Sequence, residues 1–192
     1  MSLNFSTSQS AEELVELVDE NGAVITGGVL RSVMRRDRLR HRATYALVRD
    51  SDNYFYVQKR SSSKDYCPGY FDPTPGGVVA AGESFQETNR REMEEEMGIP
   101  AGTPMAHLFS LYYEDERIRC FGDAWALVWD GPLKLQASEV ESVHKMTMQE
   151  IIERYERGDK FTPDSLAFCY EYIRLHGMPS LPKGPPAPCT FL

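Results

Sequence analysis

The 192-residue sequence has no apolar run near the ~18 residues a membrane helix needs, so no membrane span is expected. Its opening, MSLNFSTSQSAEELVEL, lacks the apolar segment of a secretory signal, which points to a cytoplasmic protein. Cysteine is sparse. Cys67, Cys120, Cys169 and Cys189 are widely separated and form no CxxC pair, which argues for reduced thiols and against a disulfide frame or a zinc site. Positive charge is also in short supply: the formal net charge of −8 argues against an extended nucleic-acid surface. No internal repeat is present.

What remains is an ordinary globular composition, 41% hydrophobic and 26% charged. One domain is expected over residues 1–178, with a Pro-rich extended tail over 179–192. Residues 13–26 carry the turn signal Glu20-Asn21-Gly22 between two apolar pieces and read as an N-terminal hairpin. A helix is expected within 29–39 and strands near 43–49 and 54–60. A long loop follows over 61–77, then a helix over 83–97 stopped by Gly98 and Pro100. Further strands are expected near 105–113, 118–129 and 142–147, and helices near 147–157 and 163–176. Strands mixed with helices give an α/β layered fold. Six arginines (31, 35, 36, 38, 40 and 42) crowd one stretch with only Asp37 against them. They read first as a solvated face or subunit contact, and second as a phosphate-steering patch.

The helix at 83–97 carries the chemistry. At 100° per residue, Glu92, Glu95 and Glu96 fall within a ~100° arc, while Glu94 points away. Like charges at this spacing repel, and a divalent cation would relieve them, because hard cations bind several carboxylate oxygens. Arg91 lies between Glu87 and Glu95, where it can orient a carboxylate. An acidic helix face alone is usually just solvated. The wider spacing decides the matter: Gly77, five residues, Glu83, seven residues, then Arg91-Glu92-Met93-Glu94-Glu95-Glu96-Met97-Gly98-Ile99. This fills every specified position of G-x5-E-x7-R-E-U-x-E-E-x-G-U, with U apolar, a match expected by chance on the order of 10⁻⁹ per starting point.

On that motif the chain resembles the Nudix hydrolase superfamily. The resemblance implies a Nudix fold, a mixed β-sheet sandwiched between α-helices, with the box over 77–99. It implies magnesium or manganese on Glu92, Glu95 and Glu96, a backbone carbonyl at Gly76-Gly77 completing the site, and Arg91 orienting Glu92. Glu92 and Glu96 with Arg91 are then the expected catalytic set, and Glu139, Glu141 or Glu92 the candidate general base; Glu83 is a further candidate. The expected reaction is hydrolysis of a diphosphate linkage in a nucleoside diphosphate derivative or related organic diphosphate.

Residues outside the box, namely ELVELVDENGAVI, LRHRATYALV, KDYCPGYFDPTPGG and FTPDSL, resemble the isopentenyl-diphosphate isomerase-like branch. That isomerase uses a cysteine and metal-binding histidines. Gly76 occupies the position of the reactive cysteine and Val78 that of a histidine, while His41 matches another metal-binding histidine. Cys67 falls nine residues too early. A glycine transfers no proton, so hydrolysis is expected, with isomerase activity or a silent binding module as the alternatives. His41, Arg42, Arg60 and Lys64 are candidate substrate-phosphate ligands. Tyr66, Tyr70 and Phe71 anchor the loop or stack on a base; Tyr112, Tyr113, Trp125 and Trp129 are expected in the core, and His107, His144 and His176 in structural or surface roles. The arginine stretch and the hairpin are candidate homodimer surfaces. The closing Cys189-Thr190-Phe191-Leu192 fits a prenylation pattern, but Phe191 is not aliphatic and only Lys183 is basic nearby, so it reads as chance.

Overall fold

The computed structural model describes residues 12–192; residues 1–11, which make up most of the stretch read above for a secretory signal, lie outside the described part. In chain order the elements are β1 (Leu14–Val15), β2 (Val29–Leu30), α1 (Arg31–Arg36), β3 (Arg40–Arg49), β4 (Phe55–Arg60), β5 (Phe71–Asp72), α2 (Phe85–Met97), β6 (Met105–Glu114), β7 (Arg119–Val128), β8 (Val140–Met146), α3 (Met148–Glu156) and α4 (Pro163–His176). The main sheet is mixed, in the order β5-β4-β3-β7-β6, with β8 antiparallel to β4. β3 runs parallel to β7 over ten residue pairs, from Arg40 against Arg119 to Arg49 against Val128.

β3 is buried on both faces because its alternation feeds two cores. Ala46 and Val48 pack with Tyr56 against Met93 and Met97 of α2. Tyr45 and Leu47 face the other way, toward Phe168 and Leu166 of α4, with Phe55 and Val57 of β4 on the same side. The sheet is therefore sandwiched between helices, as expected. Each fully buried side chain of this size stabilises the fold by about 1.5–3 kcal/mol. Tyr45 stacks on Phe168 at 3.8 Å between ring centroids.

The ends of α2 are fixed locally. Ser84 and Glu87 form a reciprocal capping box, and Gly98 closes the helix in the left-handed conformation at φ 69°. Along the other edge of β3, where β4 pairs in register only at Arg49, the segment 75–79 takes a strand's place. Thr44 N–H donates to the Gly77 carbonyl at 2.9 Å, Ala46 N–H to Pro75 at 2.8 Å, and Val79 N–H to Arg42 at 2.9 Å. The glycines that open the box are thus hydrogen-bonded to the central strand.

Several expectations are corrected. The helix sought over 29–39 is only Arg31–Arg36, because Asp37-Arg38 turns, with Arg38 at φ 51°. The 61–77 loop contains β5, held between β4 and a bridge to Phe161. The hairpin turn at 19–22 exists, but it closes on one bridge, Val18 to Val24, and the strand pairing is instead β1 with β2. The Pro-rich tail is docked: Leu133 N–H donates to Thr190, Leu192 N–H to Leu133, and Tyr54 Oη to Gly184. Cys189 packs against the α2 side of the core. Tyr112 is exposed and Trp125 and Trp129 only half-buried. All four cysteines are free thiols. No described helix is long and apolar enough to cross a membrane.

Candidate active site

A cavity of about 500 Å³ opens where α2 meets the Gly76-Gly77 segment. Glu92, Glu95, Glu96 and Arg91 line it from α2, Arg31 and Arg35 from α1, Lys64 from the loop after β4, and Glu139 from the loop before β8. The helical arc read from the sequence is the face α2 presents here.

Glu96 is buried, and its carboxylate accepts from Gln58 Nε2 at 3.1 Å, with Lys64 Nζ at 3.5 Å. Burial raises the Glu96 pKa against the attraction of Lys64 and Arg60. Glu92 is driven up to about 7, first by burial and then by the charge of Glu96. Lys64 also pairs with Glu139, so one ammonium bridges the two carboxylates. Glu95 lies at the rim, half exposed, and meets Arg91 at 3.2 Å. Arg91 is bidentate to Glu83, both contacts at 3.1 Å, and reaches Glu92 at 3.0 Å. Glu83, rather than the expected Glu87, fixes the far side of Arg91, while Glu87 is spent on the Ser84 cap. Thr88 Oγ1 holds Glu83 in turn at 2.6 Å.

The two glycines are required by close approach. A Cβ on Gly77 would lie 2.3 Å from Glu92 Oε1, and one on Gly76 would lie 2.0 Å from the Thr44 carbonyl oxygen. The Gly77 carbonyl, expected as a metal ligand, accepts from Thr44 N–H with one of its two lone pairs, and Gly77 lines the cavity.

Other expected site residues are placed elsewhere. Arg60 is buried, bonded to Asp72 at 3.0 Å and to the Tyr66 carbonyl at 3.1 Å, which makes it a structural pair and not a free phosphate ligand. Arg42 is paired with Glu16 and donates to the Glu83 carbonyl at 3.1 Å, outside the cavity. His41 is buried with Nδ1 3.0 Å from the Leu39 carbonyl; burial, then the charge of Arg35, lowers its pKa to about 3. A neutral buried ring is a poor anion ligand. Exposed Glu141 pairs with Lys59 at 2.9 Å away from the cavity, which leaves Glu92 and Glu139 as the carboxylates that face it among the candidate bases. Tyr66 donates to Asp164 at 3.1 Å, and Phe71 packs on Phe161, so both anchor the loop. His107, His144 and His176 are exposed.

Sequence reasoning did not find Gln58, and it named Arg31 and Arg35 only as part of the arginine stretch, without singling them out. The i, i+4 spacing of the two arginines was the available signal for one shared face. Gln58 carried a weaker one, a polar residue alternating with the apolar Phe55 and Val57.

A glutamate-rich helix beside a glycine segment, with cations facing the same cavity, defines a site for a phosphate-bearing substrate. Comparison with known proteins agrees. Residues 39–165 match the NUDIX domain family. A Nudix hydrolase of Yersinia pestis is 47% identical over 154 residues, covering 80% of this chain and 82% of its own. The Nudix hydrolase YfcD of Escherichia coli is 45% identical over 157 residues, covering 82% and 84%. The crystal structure of DR0079 from Deinococcus radiodurans superposes with a TM-score of 0.73 at 25% identity, over 83% of this chain and 98% of that one. The chain belongs to the Nudix family and is a pyrophosphohydrolase of that type.

Proposed function

We propose that this enzyme cleaves the diphosphate linkage of a nucleoside diphosphate derivative or related organic diphosphate with magnesium, or manganese in its place, held by Glu92, Glu95 and Glu96. The observation that supports it most is the pair Glu92 and Glu96, one turn apart and both facing the cavity, Glu96 buried and Glu92 largely so. Two carboxylates kept together out of water are costly unless a cation is bound. As the side chains stand, no three carboxylate, imidazole or thiol groups among the described residues converge closely enough to share an ion. The donor chemistry nonetheless fits a hard divalent cation: the ligands are oxygens, and the charge between Glu96 and Glu139 is balanced by the flexible ammonium of Lys64, which can withdraw.

A divalent ion held by these carboxylates would supply acidification of a water and neutralisation of charge on the phosphate oxygens. The protein residues do the rest. Arg91, held by Glu83, fixes the Glu92 carboxylate; Gln58 fixes Glu96. Glu92 or Glu139 accepts the proton of the attacking water. Lys64, freed from Glu96, takes a substrate phosphate. The isomerase alternative lacks its proton-transferring group, since position 76 is a glycine with backbone 2.0 Å from where its Cβ would be. A silent binding module would gain nothing from two buried, mutually repelling carboxylates.

The test is phosphate or nucleotide release from a panel of diphosphate compounds, with magnesium, with manganese and with excess chelator. Release that needs the metal is expected. No release from any compound, or release indifferent to chelator, overturns the proposal.

A further inference from the structure

Arg31 and Arg35 are one helical turn apart on α1 and line the same cavity as the box glutamates. Neither has its hydrogen-bonding capacity filled by the described residues. Arg31 has one carboxylate partner, Glu13 at 2.9 Å. The carboxylate nearest Arg35 is the half-exposed Asp65 at 3.9 Å, beyond hydrogen-bond reach. The Nε of each is buried with no hydrogen-bond partner among the described residues. Burial and the neighbouring charge of Arg31 push the Arg35 guanidinium below its usual range, against the opposing attraction of Asp65. Arg35 lies over the Tyr66 ring at 5.3 Å, which holds the guanidinium in place. The other arginines of the stretch point elsewhere: Arg36 pairs with Asp37, Arg38 with Glu114 and Arg42 with Glu16, and Arg40 lies over the Tyr112 ring.

The rest of the lining is as informative. Among the described residues, no aromatic side chain lines this cavity; Ser32, Ser63, Gln136 and Ser138 add polar groups to its wall, and Glu13 and Asp65 further carboxylates. A base-reading pocket ordinarily has an aromatic or aliphatic surface to stack on. This one offers paired guanidinium forks, which match phosphate oxygens.

We propose that Arg31 and Arg35 are the substrate-recognition residues, that they grip its phosphate groups, and that the enzyme selects diphosphate compounds by their phosphates and not by their base. This rests on the hydrolytic reading above. Helix α1 supplies this grip because Met34, between the two arginines, is buried in a small core with Val15 and Val78. That anchor turns the 31/35 side toward the cavity and leaves Arg36 in solvent.

The test has two arms. Inorganic pyrophosphate is titrated calorimetrically into the full chain with chelator present. Wild type is expected to bind, with at least tenfold weaker affinity in Arg31→Gln and in Arg35→Lys, and no change in Arg36→Gln, a charge control on the same helix. Absent wild-type binding, or equal affinity in all four proteins, overturns the arginine site. Arg31→Gln keeps the test open if Arg35→Lys lowers the melting temperature. In the second arm, ADP-, CDP-, GDP- and UDP-linked glucose are compared as substrates with magnesium. Values of kcat/KM within thirtyfold of one another support selection by phosphate, and a larger preference for one base overturns it. If pyrophosphate binds through the arginines yet no diphosphate is cleaved, the hydrolytic reading falls and the arginine site stands. If cleavage is normal in both arginine variants, the reverse holds.

Discussion

The His41→Asn substitution removes a titratable ring and keeps a donor where His41 Nδ1 meets the Leu39 carbonyl at 3.0 Å. Burial, aided by Arg35, lowers the ring's pKa from 6.5 to about 3 in the folded protein. Between those values the unfolded chain binds a proton that the folded chain refuses. His41 therefore costs nothing above pH 6.5 and destabilises the fold progressively as pH falls toward 3. The slope is about 1.4 kcal/mol per pH unit, so about 2 kcal/mol is lost by pH 5. The asparagine variant carries a pH-independent packing cost and no such loss. Glu92, Glu96 and Asp164, whose pKa values burial raises, titrate in both proteins and cancel in the difference. Urea denaturation at pH 8, 7, 6 and 5 should show the gap between wild type and variant closing by about 2 kcal/mol. A gap that stays constant over that range refutes the reasoning. It would mean the ring charges freely and would return His41 to the list of anion ligands.

Four further outcomes are expected. Glu96→Gln keeps an acceptor for Gln58 but removes one of two repelling buried charges, so kcat should fall by at least about 100-fold while the melting temperature rises; retained activity would be incompatible with the assigned role. Gly77→Ala places a methyl 2.3 Å from Glu92 Oε1 and should lower kcat by at least about tenfold with little change in fold, whereas Gly102→Ala, which meets nothing within 4 Å, serves as a neutral control in the same kinetic assay. The purified protein should not convert isopentenyl diphosphate to its dimethylallyl isomer, and Gly76→Cys should stay inactive and lose stability against the Thr44 carbonyl; product detected by chromatography would contradict this. Arg60→Ala strands buried Asp72 and should cost about 3–5 kcal/mol in denaturant unfolding. The conservative Arg60→Lys should leave KM unchanged, and a raised KM there would restore Arg60 as a substrate ligand.

The sequence made α2 and the cavity glutamates legible because local rules fix both: the Ser84/Glu87 capping box and Gly98 set the helix, and its period sets the arc. β3 was legible in position but not in consequence. His41 falls on the same alternating face as Ala43, Tyr45 and Leu47, and that period already placed it inward. The fate of Arg60 was not legible, because its partner Asp72 lies across a loop on a two-residue strand with no pattern of its own. The arginine stretch could not be divided from sequence alone, since the division depends on how Met34 docks between Val15 and Val78, a contact of distant segments.

The pairing of segment 75–79 with β3 separates what can change from what cannot. The glutamates ride on a helix packed against the central strand, and the glycines beside them share that strand's hydrogen bonds. Any drift in the reacting geometry has to distort the sheet. Arg31, Arg35, Lys64 and the 136–139 loop hang from segments that contribute no long strand to that sheet. Exchanging these segments between relatives should transplant substrate preference while leaving the bond-breaking apparatus, and most of the melting temperature, with the recipient.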